Sequence, residues 1–366
     1  MKRVNNKFVL IIALILIFHT VSLADTPTTQ ELLDKYAATQ KKIYDSFVIE
    51  SESESQGYIS YTHILEKGKR KGGTASEIRY DGNRFYVSKK KWGNCFPGAD
   101  TFTPKKDPRY TCRLWDGGLW YFYGNEPEWM LDDLAKKRYE AASEQQQFVK
   151  SRHHVTIKDN CDDLNISEPD KNILSCTIYA AGTSAFFDPQ LELRLRNSPN
   201  ITVLPETRKI NNANCFVIEA ETIDRGKFKI WIDPTHSYNI AKLQNLHKNK
   251  SPNGRDYTSK YQITNIRFEK FDDVWVPLEL DVSIFNGSKK YDMYQKSKSH
   301  YRRTKVILDP NHNMLRSFVP DIPDGWVANI KGIKGFDENT EYTWQNGKLV
   351  DKAGRIVNLD LSKKPQ

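Results

Sequence analysis

The stretch CFVIEAETIDRGKFKIWIDPTHSYNIAKLQN, residues 215–245, decides the fold. It divides into three strand-like runs, Cys215 to Thr222, Lys227 to Asp233 and Tyr238 to Asn245. Asp224-Arg225-Gly226 and Asp233-Pro234 part them. β-Branched and aromatic residues fill the runs, whereas Gly, Asp and Pro stand where the chain must reverse. In the middle run Phe228, Ile230 and Ile232 share one face, and Lys229 and Trp231 the other, because strand neighbours point to opposite sides. Turns this short join antiparallel strands; a parallel pair needs a crossover of about a dozen residues or more.

The same grammar recurs on either side. Glu77 to Tyr80 and Arg84 to Val87 flank Asp81-Gly82, a tight-hairpin signal because Gly tolerates positive φ. Arg113 to Trp115 and Leu119 to Tyr123 flank Asp116-Gly117-Gly118. Tyr261 to Phe271 and Val274 to Phe285 turn at Asp272-Asp273, and Glu341 to Trp344 with Lys348 to Val350 at Asn346-Gly347. This succession predicts a mainly β chain built as an antiparallel meander.

Two helices are expected. Thr28 and Glu31 form a capping box. Leu32, Leu33, Tyr36, Ala37, Ile43, Tyr44 and Phe47 then recur at helical spacing, one apolar stripe that must cover a sheet or another helix. Pro127 to Val149 reads as a second helix with sparse apolar positions. Leu191, Leu193 and Leu195 alternate like a strand, although Asp188-Pro189 suits a helix start, and residues 150–210 are the least readable.

The first 24 residues read as a signal peptide: basic Lys2, Arg3 and Lys7, an apolar run from Phe8 to Phe18, and small side chains around Ser22-Leu23-Ala24. The run is shorter than the roughly 20 residues that span a membrane, so cleavage is expected near Ala24, with a periplasmic mature chain. Cleavage lowers the formal charge from +9 to +6 by removing those three cations. The remaining excess is scattered, which fits an anionic envelope surface or plain solvation and disfavours nucleic acid. The expected division is a signal peptide over 1–24, a main domain over 25–315 with an insertion around 127–210, and a C-terminal extension over 316–366 ending in a hairpin.

Export permits disulfides. Cys95 with Cys112 and Cys161 with Cys176 are the nearest pairings, and Cys215 is the candidate left over; spacing alone does not fix the connectivity.

No constellation specifies a reaction. His153-His154 ahead of Asp159, Asp162 and Asp163 is the one cluster with metal-ligand or hydrolase chemistry, but adjacent side chains diverge, so a solvated loop is favoured. His236 reads as a surface turn residue. GxSxG, HExxH, CxxC and phosphate-loop patterns are absent from the sequence. No catalytic residue, metal or cofactor is expected. The positive signal is aromatic: 18 Tyr, 17 Phe and 8 Trp, many inside strands. Leu119 to Tyr123 is apolar on both faces and must bury both. Trp115, Trp120, Phe122, Phe228, Ile230 and Trp231 are therefore candidate lining residues for an apolar ligand site.

The helix ending Ile43-Tyr44-Asp45-Ser46-Phe47, the hairpins at Tyr80-Asp81-Gly82 and Leu114-Trp115-Asp116-Gly117, and the passage from Ile210 through Lys229-Ile230-Trp231-Ile232-Asp233-Pro234 to Tyr238–Leu243 resemble the LolA/LolB-like periplasmic lipoprotein-carrier superfamily. The resemblance covers residues 28–300, with gaps around 150–210. It implies a strongly curved antiparallel sheet forming an unclosed β-barrel, helices on its concave side, and a hollow sheltering lipid or lipoprotein acyl chains, with peripheral membrane contact. The chain is longer than a minimal carrier, has extra cysteines, and offers no arginine matching a carrier's lid-locking residue. A regulatory or scaffold module binding an envelope protein, and an envelope hydrolase, stand as alternatives.

Overall fold

The structure is a computed structural model; it describes residues 27–58, 69–93, 108–125, 153–159, 191–223, 225–250, 256–288 and 291–359. The signal peptide, the helix expected over 127–149, and Cys95, Cys161 and Cys176 lie outside these residues.

Helix α1 (Thr29–Tyr44) begins as its capping box requires: Thr28 Oγ1 accepts from the Glu31 amide, and the Glu31 carboxylate accepts from the Thr28 amide at 2.7 Å. Two meanders follow. The first comprises β1 (Phe47–Tyr58), β2 (Lys69–Tyr80), β3 (Phe85–Gly93), β4 (Arg109–Trp115), β5 (Trp120–Asn125) and β6 (His153–Lys158). Short α2 (Leu191–Arg196), β7 (Asn200–Val203) and β8 (Arg208–Ile210) lead to the second. It runs through β9 (Ala213–Thr222), β10 (Gly226–Asp233), β11 (Asn239–Lys250), β12 (Asp256–Phe271), β13 (Val274–Ser288) and β14 (Tyr291–Leu308). Four short strands close the chain: β15 (Val327–Lys331), β16 (Glu341–Gln345), β17 (Lys348–Val350) and β18 (Ile356–Val357).

The turn glycines behave as the sequence requires: Gly82 and Gly117 hold φ of 89° and 100°, a region closed to most side chains. The meanders join edge to edge, because β1 pairs with β14 from Phe47 opposite Leu308 to Gly57 opposite Ser297. The result is one large curved sheet, not closed into a barrel, antiparallel except where β15 runs parallel to β6. The segment 191–196 is a helix, its Leu191 and Leu195 buried against α1 and Ile218.

Each face of the sheet carries a core. On the inner, concave face α1 buries Leu32, Leu33 and Tyr36 against Ile218, Phe228, Ile230, Ile232, Leu243, Ile263, Leu280 and Val282. Its last turn buries Ile43 and Tyr44 against Phe47, Ile49, Ile78, Val87 and Val276. On the outer face of β3–β6, Tyr86, Leu114, Tyr121, Tyr123, Val155 and Ile157 are covered by Phe318, Ile322, Ala328, Ile330, Tyr342 and Trp344 of the C-terminal segment. Strand β5 is apolar on both faces for this reason: α1's side receives Trp120, and the C-terminal segment receives Tyr121.

Among the described residues no helix is long and apolar enough to cross a membrane.

Candidate binding face

Directly opposed residues of paired strands share a face, so the register maps the inner surface. One row across β1–β5 is Phe47, Tyr80, Phe85, Trp115 and Trp120. The next is Ile49, Ile78, Val87, Arg113 and Phe122. Their β3–β5 end is an aromatic shelf beyond the end of α1. Phe85 and Trp120 meet edge to face at 5.1 Å, Trp120 stacks on Phe122 at 5.8 Å, and Trp115 lies 5.1 Å from Trp120. Phe85 and Trp120 are buried, whereas Trp115 and Phe122 keep part of their surface.

The six residues expected to line a site thus fall into three places. Trp115, Trp120 and Phe122 form the shelf. Phe228 and Ile230 lie on the same inner face, in the core beneath α1. Trp231 points outward, packing with Cys215, Val217 and Ala241 while Lys242 holds its ammonium 4.8 Å from the ring. It shares no surface with the other five.

Helix α1 is fastened to the turn between β10 and β11. Thr39 Oγ1 donates to the Ser237 carbonyl at 2.5 Å, Gln40 Nε2 to Asn239 Oδ1 at 3.2 Å, and Lys35 Nζ to the Tyr238 hydroxyl at 3.2 Å. Ser237 and Tyr238 sit at φ of 57° and 59°, a costly pair of left-handed non-glycine residues that the surroundings must hold. Buried Asp233 supplies much of that hold, accepting from the Thr235 amide at 2.8 Å and meeting His236 Nδ1 at 2.6 Å. His236 stacks on Phe268 at 4.7 Å. An Asp–His pair invites a catalytic reading, but its bonds close within one four-residue turn and bind the turn together.

The outer face carries a latch. Tyr123 donates its hydroxyl to Asp321, and Tyr86 donates to the same carboxylate at 3.4 Å. Arg79 stands 4.1 Å over the Tyr86 ring and donates to the Ser317 carbonyl at 3.1 Å. Burial raises the Tyr86, Tyr110 and Tyr123 phenols above their ordinary range and pushes the Cys112 thiol up to about 12. Cys112 is a free buried thiol, as is Cys215; Cys95, the expected partner of Cys112, lies outside the described residues.

His153 and His154 stand on β6, a regular strand where the sequence suggested a polar loop. His153 rests on Trp326 with centroids 4.8 Å apart. Among the described residues no group of three or more His, Cys, Asp or Glu is placed to hold a metal.

No protein-family model matches the chain, and no curated protein matches it. Among solved structures, a DUF1329 family protein from Desulfovibrio piger is similar over 78% of this chain and 95% of its own, at 11% identity and a TM-score of 0.34. An N-terminal dehydratase from a difficidin assembly line is similar over 80% of this chain and 88% of its own, at 6% identity and 0.14. Likenesses this low carry no functional argument.

Proposed function

We propose that this chain is a non-catalytic protein of the cell envelope that binds lipid or lipoprotein acyl chains on the inner face of its sheet. The observation that carries the reading is the aromatic shelf of Phe85, Trp115, Trp120 and Phe122, continuous with the apolar surface that α1 covers. Magnitudes permit an exchange of helix for ligand. An acyl chain of about sixteen carbons gains roughly 12 kcal/mol on burial, at about 0.8 per methylene. Uncovering the five apolar side chains that α1 buries, Leu32, Leu33, Tyr36, Ile43 and Tyr44, costs roughly 8–15 kcal/mol at about 1.5–3 each, the same scale as the acyl gain. Export and a periplasmic address belong to the same proposal and rest on the amino-terminal sequence.

Titration with a fluorescent fatty acid tests this. The full chain should bind it saturably, and Phe122→Arg, which sets a charge on the half-buried edge of the shelf, should weaken binding without lowering thermal stability. Absence of uptake by the wild-type chain contradicts the reading.

A second reading has one observation in its favour. Met314, Leu315 and Val319, in the turns after β14, are exposed by 82%, 49% and 43%. An apolar cluster this open suits contact with a protein partner. A stable protein complex recovered from envelope extracts, lost on Met314→Lys, would favour this scaffold role.

A further inference from the structure

Antiparallel pairing gathers alternate strand ends of the second meander at opposite ends of the sheet. At one end β9 turns into β10, β11 runs out at Lys250, β12 starts at Asp256, β13 stops at Ser288 and β14 starts at Tyr291. Register places Lys227, Leu246, Lys260 and Phe285 in one row there, on the outer face that Trp231 shares. Lys248, Thr258 and Gly287 form the next row, and Met293 lies over Gly287, where a Cβ would stand 2.7 Å from its Sδ. Ile223, in the turn between β9 and β10, is 93% exposed, and Leu246 and Met293 are 41% and 42% exposed. Single exposed apolar residues are ordinary, but here three lie open across neighbouring strands. Cations stand among them. Lys248 and Lys296 are exposed, and no ion pair joins either to a carboxylate among the described residues. Lys260 holds its ammonium 5.6 Å from the Phe285 ring, and Lys227 meets Glu221 at 3.7 Å with both side chains more than half exposed. Among the described residues the carboxylates at this end are Glu221, Asp256 and Asp292. The opposite end of the sheet turns through Asp81, Asp116, Asp272, Asp273 and Asp309.

We infer that this end of the outer face docks on an anionic phospholipid surface. Ile223, Leu246 and Met293 enter the head-group boundary, and Lys227, Lys248, Lys260 and Lys296 face the lipid phosphates. Apolar side chains gain by leaving water for that boundary, while lysine stems lie along it and keep their ammonium groups at the phosphates. A negative leaflet attracts cations brought within a Debye length of it. The same surface repels the aspartate turns at the far end, so charge fixes which end of the sheet meets the lipid. This patch is distinct from the aromatic shelf, and docking stands apart from acyl binding as a separate property.

The test is co-sedimentation of the full chain with vesicles of equal parts phosphatidylcholine and phosphatidylglycerol, beside vesicles of phosphatidylcholine alone. The wild-type chain should partition into the anionic vesicles roughly tenfold or more strongly, the scale of one or two lysines at the surface. Concentrated sodium chloride should release it. Ile223→Asp, and Lys248→Glu with Lys296→Glu, should each weaken anionic binding about tenfold. All three positions are exposed, so thermal unfolding should not change. Met314→Asp, in the turns at the far end, should bind as the wild type does. Fatty-acid titration should be the same in every one of these variants, which keeps this inference separable from acyl binding. Absence of partition into anionic vesicles overturns the inference, as does equal binding to both vesicle types or full binding by Ile223→Asp. A wild-type dimer that Ile223→Asp dissociates assigns the patch to a second copy and overturns it as well.

Discussion

Arg303, in the middle of β14, donates through Nη2 to the hydroxyl of Tyr44, in the last turn of α1, at 2.6 Å. Both side chains are buried, and the guanidinium also stands over the tyrosine ring, 5.5 Å from its centroid. This bond ties the helix that covers the apolar inner rows to the strand that joins the two meanders. Tyr44→Phe keeps the ring and removes the acceptor. A hydrogen bond to a buried charge contributes about 1.5–3 kcal/mol, and the variant should lose stability on that scale in urea unfolding. An unchanged midpoint would show that the bond contributes nothing to holding α1.

Packing should matter far more to α1 than its surface charges. Leu32 is 0% exposed in the inner core, and Leu32→Ala should cost about 2–5 kcal/mol. Lys42 forms a 3.1 Å ion pair with Asp273, but both side chains are mostly solvated. Lys42→Ala should cost less than about 1 kcal/mol. Thermal unfolding of the two variants side by side checks the ranking.

His312 gives the segment after β14 an acid sensitivity. Its Nε2 donates to the Tyr80 carbonyl at 2.9 Å, while buried Nδ1 has no partner, the pattern of a neutral ring. Burial lowers its pKa from the ordinary 6.5. A depressed histidine contributes stability above the unfolded value, and that contribution is lost as pH falls below about 6.5. Stability measured from pH 8 down to 5 should therefore decline, and His312→Gln should flatten that part of the profile. A wild-type profile that does not fall would contradict the buried neutral ring.

The Cys112 thiol works in the opposite sense. With its pKa raised from 9.0 to about 12, it favours the folded state fully below pH 9 and loses that contribution between about 9 and 12. At pH 8 the native thiol should resist a disulfide-exchange reagent and react quickly once urea unfolds the chain. Rapid labelling of Cys112 in the native protein would contradict its burial.

The sequence made the hairpins and the helix legible because turn glycines, a capping box and apolar alternation are local signals. Strands β1 and β14 escaped it. Past Phe47 and Ile49 the inner positions of β1 are Ser51 and Ser53, with Arg303 and Tyr301 opposite them in β14, so the apolar alternation by which strands are read stops short. Strand β6 looked like a loop for a similar reason, since His153 and His154 precede the only two apolar positions, Val155 and Ile157, which pack on the outer face beneath the C-terminal segment. The aromatic shelf was visible in Leu119–Tyr123, apolar on both faces. The orientation of Trp231 was visible too, but that it leaves the site follows only from where α1 sits.

Native mass spectrometry of the protein, isolated without detergent from the envelope of bacteria expressing the full gene, tests the central claim most directly. Acyl binding predicts a population heavier than the chain by the mass of a lipid, released on denaturation and depleted in Phe122→Arg. A single species at the mass of the bare chain, from a preparation that also fails to take up fatty acid, would contradict it.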